Sequence, residues 1–537
     1  MEKITQKIQS AVPNAQIEEK KYLTVTVEPQ DLRLLATTVR NLLFDYLIQL
    51  IGVDEGEKLG VVYYLTSSDF PQEYIVLKTF TAERENPQLM TVSDIWKTAI
   101  VKEREVFGFF GIKFIDHPDM RRLFLSNSWQ GYPMRKDYDL DSNPLSLESK
   151  EMDDKLTRLC FDNNGVIEVE ENIFEEEEYV VNIGPQHPAT HGVMHFRTAL
   201  DGEIVKKLDI NCGYIHRGVE KLCESLTYPQ TLHFTDRLDY LASHINRHAL
   251  CMCIEKGLEL EIPARAEYVR VIMDELTRIA SHLLAWACMC MDMGALTAFI
   301  YGMRDREKVI DIFEANTGGR LIQNYNVIGG VMYDIKPDFQ KQVKEYITYQ
   351  RKMLKEYHRI FTGNVIAEQR MRGIGLLTRR DAVSYGVTGP TGRASGYSCD
   401  IRKKAPYGIY DKVSFNEIIR EEGDAYARYL CRLDEIPESL NIIEQLIDNI
   451  PEGEFAVKTK PIIKLPEGEY FERVESCRGE FGVYIESRGD KTPYRMHFRS
   501  PSLALVSIME LITKGEKIAD LIAIGGSLDY IVPCLDR

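Results

Sequence analysis

The chain has 537 residues, 44% hydrophobic and 28% charged, with a formal net charge of −16. That length exceeds what one hydrophobic core holds, so two or more domains are expected. The acidic balance argues against nucleic acid as a partner and against adhesion to anionic lipid by charge alone.

In chain order, the opening MEKITQKIQSAVPNAQIEEK has no apolar run of signal-peptide type, so export is not expected. Short strand-like runs at Tyr22–Val27, Val61–Leu65 and Tyr74–Phe80 alternate with helical patterns near Leu32–Leu43 and Ile95–Glu105. They predict a small α+β domain over residues 1–150, whose polar end, 126–150, reads as an extended tail. Seven glutamates between Glu168 and Glu178 mark 151–178 as a solvated acidic linker. From 179 to 537 a second domain is expected. It has a strand-like entry over 179–210, then helices near Leu241–Lys256, Arg265–Met293, Arg304–Thr317, Pro337–Phe361 and Gly423–Asn449. A strand-rich segment at 478–487 and a last helix near Ser502–Thr513 follow. The fold class is therefore α+β, with a long-helix core and peripheral strands in the larger domain.

The run Leu283–Met303 carries a single charge, Asp292, and is long enough to span a bilayer. The amphipathic pattern just before it favours a buried bundle helix in a soluble protein, since a lone carboxylate at mid-bilayer costs about 3 kcal/mol or more. Buried without a partner, Asp292 would have its pKa raised strongly, so it must be paired or functionally tuned.

The densest chemistry lies in Asn182-Ile-Gly-Pro-Gln-His-Pro-Ala-Thr-His-Gly-Val193. Two prolines and two glycines exclude a regular helix there, and loops on rigid scaffolds concentrate functional groups. His187, His191 and His195 recur every four residues. In a strand that spacing is about 13 Å, too far to share a metal unless a hairpin folds them together. Cys251/Cys253 and Cys288/Cys290 lie in helical patterns, where residues two apart diverge, and no Cys-x-x-Cys occurs. Eleven cysteines without framework spacing fit a reducing compartment. Neither a metal nor an iron–sulfur cluster is expected on this chain alone. The Gly-rich stretch 384–400 has neither the P-loop nor the dinucleotide spacing and reads as tight turns near Arg393. Tyr240, closing Asp236-Arg-Leu-Asp-Tyr240, reads on its own as a packed structural residue.

GPQHPATHGV (184–193), CGYIHRGVEKL (212–222), DRLDY (236–240), RVIMDELTRIASHLL (270–284), DMGALTAF (292–299) and RASGYSCDIRK (393–403) resemble the 49-kDa-type subunit of respiratory complex I. EREVFGFFGIKFIDHPDMRRLFL (103–125) and GYPMRKDY (131–138) are similar to its 30-kDa-type subunit. The chain is thus identified with the fused C/D subunits of bacterial, proton-translocating NADH-quinone oxidoreductases, whose larger half shares its scaffold with the [NiFe]-hydrogenase large subunit.

The resemblance implies a quinone head-group site, with His191 and Tyr240 hydrogen-bonding the two quinone carbonyls and Asp292 pairing with the histidine. It implies electrons from the terminal [4Fe–4S] cluster of a neighbouring iron–sulfur subunit. It also implies contacts with other peripheral-arm subunits and with the membrane-arm subunit at the quinone channel, on the cytoplasmic side of the inner membrane. Where a nickel site would need two Cys-x-x-Cys pairs, this chain has Asp239, Ala242, Ile531 and Cys534, one thiolate of four. Departures from the family pattern stand at Gly108, His195, Ala298 and Cys477. Menaquinone and ubiquinone stay open as substrates, as do NADH and another donor such as ferredoxin.

Overall fold

A computed structural model describes residues 2–19, 21–139, 153–162 and 165–537. Near the N-terminus, helix Glu2–Ala11 and strand Gln16–Glu19 fall where no element is legible in the mixed polar sequence. A five-stranded sheet follows in the order Gln16–Glu19, Leu23–Val27, Tyr74–Thr81, Leu59–Thr66, Tyr46–Asp54. Only Leu23–Val27 and Tyr74–Thr81 run parallel. Strands Tyr46–Asp54 and Leu59–Thr66 are buried at every position, so they read as apolar runs without alternation. Val39 and Phe110, from helices Leu32–Asn41 and Ala99–Phe110, join the core with residues such as Leu47 and Leu77. Tyr46, Ile48, Val62 and Tyr64 instead pack with Tyr397, Phe471 and Tyr484 from the second half of the chain. Helix Ala99–Phe110 stops at Gly111, which takes a left-handed φ of 76° and donates its N–H to the Phe107 carbonyl.

The larger half opens with the antiparallel sheet Tyr179–Ile183, His195–Asp201, Ile204–Asn211. Its core is helical. The 29-residue helix Ala264–Asp292 packs against Leu296–Thr317, Ala425–Ile447 and Ser243–Gly257. A second antiparallel sheet, Gly468–Ser476, Gly479–Ser487 and Arg495–Arg499, lies against helix Ser243–Gly257 and the N-terminal sheet. One apolar cluster runs from Ile8 through Phe124 to Leu535, so the two halves share a core. Polar ties cross the same junction: Arg499 Nη2 donates to the Tyr46 hydroxyl at 2.8 Å and Arg495 Nε to the Gly52 carbonyl at 3.1 Å.

Several expectations are corrected. The stretch read as a solvated linker contains strands Lys155–Asp162 and Gly165–Asn172, paired antiparallel. Backbone bonds from Asp116 and Met120 to Leu159 and Thr157 attach this hairpin to the N-terminal half. Its few half-buried or buried apolar side chains, Leu156, Leu159, Val166 and Val169, are masked by the charge run. Of the expected tail 126–150, residues 140–150 lie outside the described residues. The rest is irregular but anchored: Arg135 donates to the carbonyls of Phe110 and Arg84. The run Leu283–Met303 is broken after Asp292 by a turn through Gly294. Among the described residues no helix is long and apolar enough to cross a membrane. The last predicted helix divides into Pro501–Ser507 and Met509–Thr513, and a further helix, Ile518–Leu528, follows it.

Candidate functional site

The loop 184–193 folds as a tight hairpin, with Gln186–His187 pairing Gly192–Val193 around a 3-10 turn Pro188–Thr190. His191 caps that turn with a left-handed φ of 51° and donates its N–H to the Pro188 carbonyl. A non-glycine residue there is strained, and the surroundings must hold it. They do so from both sides. Thr190, fully buried, donates its hydroxyl toward the His187 and Gly192 carbonyls, and Tyr530 donates its own to the Thr190 carbonyl at 3.0 Å. The Tyr530 ring meets the His191 ring edge-on at 6.4 Å. A Cβ on Gly192 would sit 2.4 Å from Val532, so glycine is required for the C-terminal segment to close on the loop.

Held in this way, His191 Nε2 lies 2.9 Å from Asp292 Oδ2. Asp292 is the last residue of its helix, and the negative end of the helix dipole favours a protonated imidazole beside it. Burial pulls the His191 pKa down. The hydrogen bond and charge of Asp292, with Asp529 adding, outweigh that and leave it above its ordinary 6.5. Helix Ile518–Leu528 approaches so closely that a Cβ on Gly526 would lie 2.7 Å from Asp292 Oδ2.

Tyr240 stands in the turn between helices Tyr228–Leu238 and Ser243–Gly257, 36% exposed. Its hydroxyl has no hydrogen-bond partner among the described residues. Burial is the main cause that raises its pKa. Arg478 opposes, while Asp239, Cys288 and Asp529 reinforce, and the phenol stays protonated at neutral pH. The same groups tie it to His191. The buried Arg478 guanidinium reaches Asp239 Oδ2 at 3.0 Å, Ser281 Oγ at 3.0 Å and Asp529 Oδ1 at 3.2 Å. Asp239 precedes Tyr240, and Asp529 acts on His191. The arginine therefore braces the tyrosine turn against the segment that holds the histidine loop.

Arg478, Asp529 and Tyr530 are not singled out by the sequence reasoning. Arg478 lies buried in the two-residue turn Cys477-Arg478, where nothing local in the sequence marks it. The other histidines of the row go elsewhere. His187 is exposed, its Nδ1 accepting from the Ala189 N–H, and His195 is buried in the sheet. His187 also borders an apolar cavity of about 300 Å³ with Ile183, Phe196 and Leu521.

Of the four positions a nickel site would need, Asp239 is taken by Arg478 and only Cys534 is a thiol. Burial, chiefly, pushes the Cys534 thiol up to about 11, and its Sγ lies 3.1 Å from Ser500 Oγ. The donor set does not fit nickel. Elsewhere, Glu105, Glu220 and His497 converge, but Lys102, Arg495 and Arg537 already pair with these carboxylates. That cluster is a buried ion network joining the two halves.

Residues 25–144 match the family described as respiratory-chain NADH dehydrogenase, 30 Kd subunit, and residues 292–464 and 460–537 match its 49 Kd subunit. The C/D subunit of the NADH-quinone oxidoreductase of Phocaeicola vulgatus is 62% identical over 495 residues, covering 92% of this chain and 95% of that protein. The chain belongs to the fused C/D family of the respiratory NADH dehydrogenases. A second C/D protein, from Bacteroides fragilis, is 60% identical over 92% of the chain and 95% of its own length. The stand-alone D subunit of the Geobacillus kaustophilus NADH-quinone oxidoreductase is 45% identical over 361 residues, 98% of that protein but 67% of this chain. Relatives thus include proteins in which the larger half is a separate polypeptide.

Proposed function

We propose that this chain forms the head-group site at which a proton-translocating NADH-quinone oxidoreductase reduces its quinone. Quinone reduction brings two electrons and two protons to the carbonyl oxygens, which gain negative charge on the way. A protonated imidazole and a neutral phenol are donors that stabilise that charge and then yield the protons. His191 and Tyr240 are assigned to the two carbonyls, and Asp292 keeps His191 charged and oriented. The observation that carries the reading is the His191–Asp292 pair on a strained loop, tied through Asp529 and Arg478 to the turn that carries Tyr240.

The electrons would arrive from the terminal [4Fe–4S] cluster of an adjoining iron–sulfur subunit. The chain would sit with other peripheral-arm subunits against the membrane arm, on the cytoplasmic side of the inner membrane. Replacing His191 by Ala and Tyr240 by Phe tests the assignment in the assembled complex. Each should lower NADH-to-quinone turnover at least tenfold while NADH still reduces the clusters. Unchanged turnover in both would overturn it, and stoichiometric nickel in the purified complex would favour a hydrogenase instead.

A further inference from the structure

The site just described consumes protons, yet it lies at one end of a helix whose other end borders water. A pocket of about 510 Å³ opens beside the start of helix Ala264–Asp292, walled by His248, Glu267 and Tyr407 among others. From that pocket a polar stripe runs the length of the helix on one face: Glu267, Asp274, Arg278, Ser281, Cys288 and Asp292, spaced three, four or seven apart. At ~1.5 Å per residue it spans about 37 Å. Asp274, Arg278 and Ser281 are buried, where an ordinary bundle helix would be apolar.

Polar contacts gather at two places along the stripe. Asp274 lies between two imidazoles, His244 Nδ1 and His248 Nδ1, each 2.7 Å from one of its oxygens. The Tyr407 ring stands against both His248 and Tyr410, and Tyr410 donates to Glu275 at 2.6 Å. Arg278 reaches the Ser476 carbonyl, two residues before Arg478, which itself reaches Ser281, Asp239 and Asp529. Buried polar atoms without a partner among the described residues recur on this course: the Tyr407 hydroxyl, His244 Nε2, Asn246 Nδ2, His282 Nδ1 and Arg478 Nε. Orphaned buried donors and acceptors of this kind mark places for ordered water.

We propose that this stripe is the route by which protons reach the quinone site from the pocket at the far end of the helix. The inference rests on the quinone-site reading. For each quinone reduced, two electrons come from the partner's iron–sulfur cluster. Two protons enter from bulk water at His248 and pass through the Asp274 relay and bridging water. They replace those that His191 and Tyr240 give to the carbonyl oxygens. The arginines hold fixed charge and do not release protons, while His244 and His248 hold Asp274 in its ionised form.

The test uses the intact complex with NADH and a short-chain benzoquinone, in H2O and D2O. Asp274→Asn and His248→Phe should each lower kcat about tenfold or more and enlarge the solvent isotope effect, with KM and cluster reduction by NADH unchanged. Ala264→Trp, at the solvent-facing pocket rim, should do the same without touching a buried group, and it decides the matter if the buried variants fail to assemble. Wild-type kcat and isotope effect in any assembled variant of the three would overturn the route. His191→Ala, run beside them, separates the two readings. If it turns over normally the quinone-site assignment fails; if it alone is inactive only the proton route fails.

Discussion

His191 and Asp292, 101 positions apart in sequence, meet at 2.9 Å because a helix ends where a strained loop turns. Neither residue gains the geometry from its own neighbours. The loop supplies the left-handed backbone and the helix supplies a carboxylate at its negative pole.

The first prediction concerns Asp292→Asn. His191 has its pKa raised in the folded protein, so the energy of the pair is fully present below about 6.5 and is lost as pH rises through the raised folded value. Removing the carboxylate lowers that value. The alkaline limb of the pH–turnover profile should therefore move to lower pH, with a fall of about tenfold or more at pH 8. A profile superimposable on wild type would show that the pair does not set the protonation used in turnover.

Gly526→Ala should perturb the same pair without removing a charge. The added methyl would lie 2.7 Å from Asp292 Oδ2, and the carboxylate can escape only by turning away from His191. The complex should assemble and turnover should drop, with the alkaline limb shifted in the same direction as in Asp292→Asn. Comparing the two pH profiles checks this.

Arg478→Met should be among the most destabilising single changes in the larger half. It leaves Asp239 buried without its guanidinium and Asp529 with only the longer contact to Arg432 Nε, 3.5 Å away. Stranding a buried charge in this way costs roughly 3–5 kcal/mol. Arg478→Lys should recover part of the loss, as one ammonium cannot reach all three partners. Urea midpoints of the full-length variants measure both.

Because the two halves share one apolar cluster, thermal unfolding of the full-length chain should be a single transition. Calorimetric and van't Hoff enthalpies should agree. Arg499→Ala removes bonds to the Tyr46 hydroxyl and to the Ile48 and Gly386 carbonyls. It should lower that transition, and calorimetry showing two resolved transitions in wild type would count against a common core.

Much of the helical architecture is legible in the sequence, because long amphipathic patterns such as Arg265–Met293 bury a stripe and repeat it over many turns. Strand Tyr46–Asp54 is not, since a strand buried on both faces loses its alternation. The hairpin Lys155–Asp162/Gly165–Asn172 hides beneath its own glutamates. Asp292 is legible as a carboxylate that needs a partner, yet spacing alone cannot say which imidazole answers it. Arg478, Asp529 and Tyr530 escape notice because their significance lies in what they bridge, and contacts across hundreds of residues leave no local pattern.

The hairpin between the halves has a consequence for how the protein comes together. Through Asp116 and Met120 it is attached to one half, and through Arg197, which pairs with Asp154, to the other. Where the same two units are separate polypeptides, docking depends on the concentration of each. Here the partner is always present at an effective concentration of about millimolar order, whatever the expression level. Stoichiometry is then fixed at one to one by translation itself, and the exposed faces of the shared core have little time to find anything else.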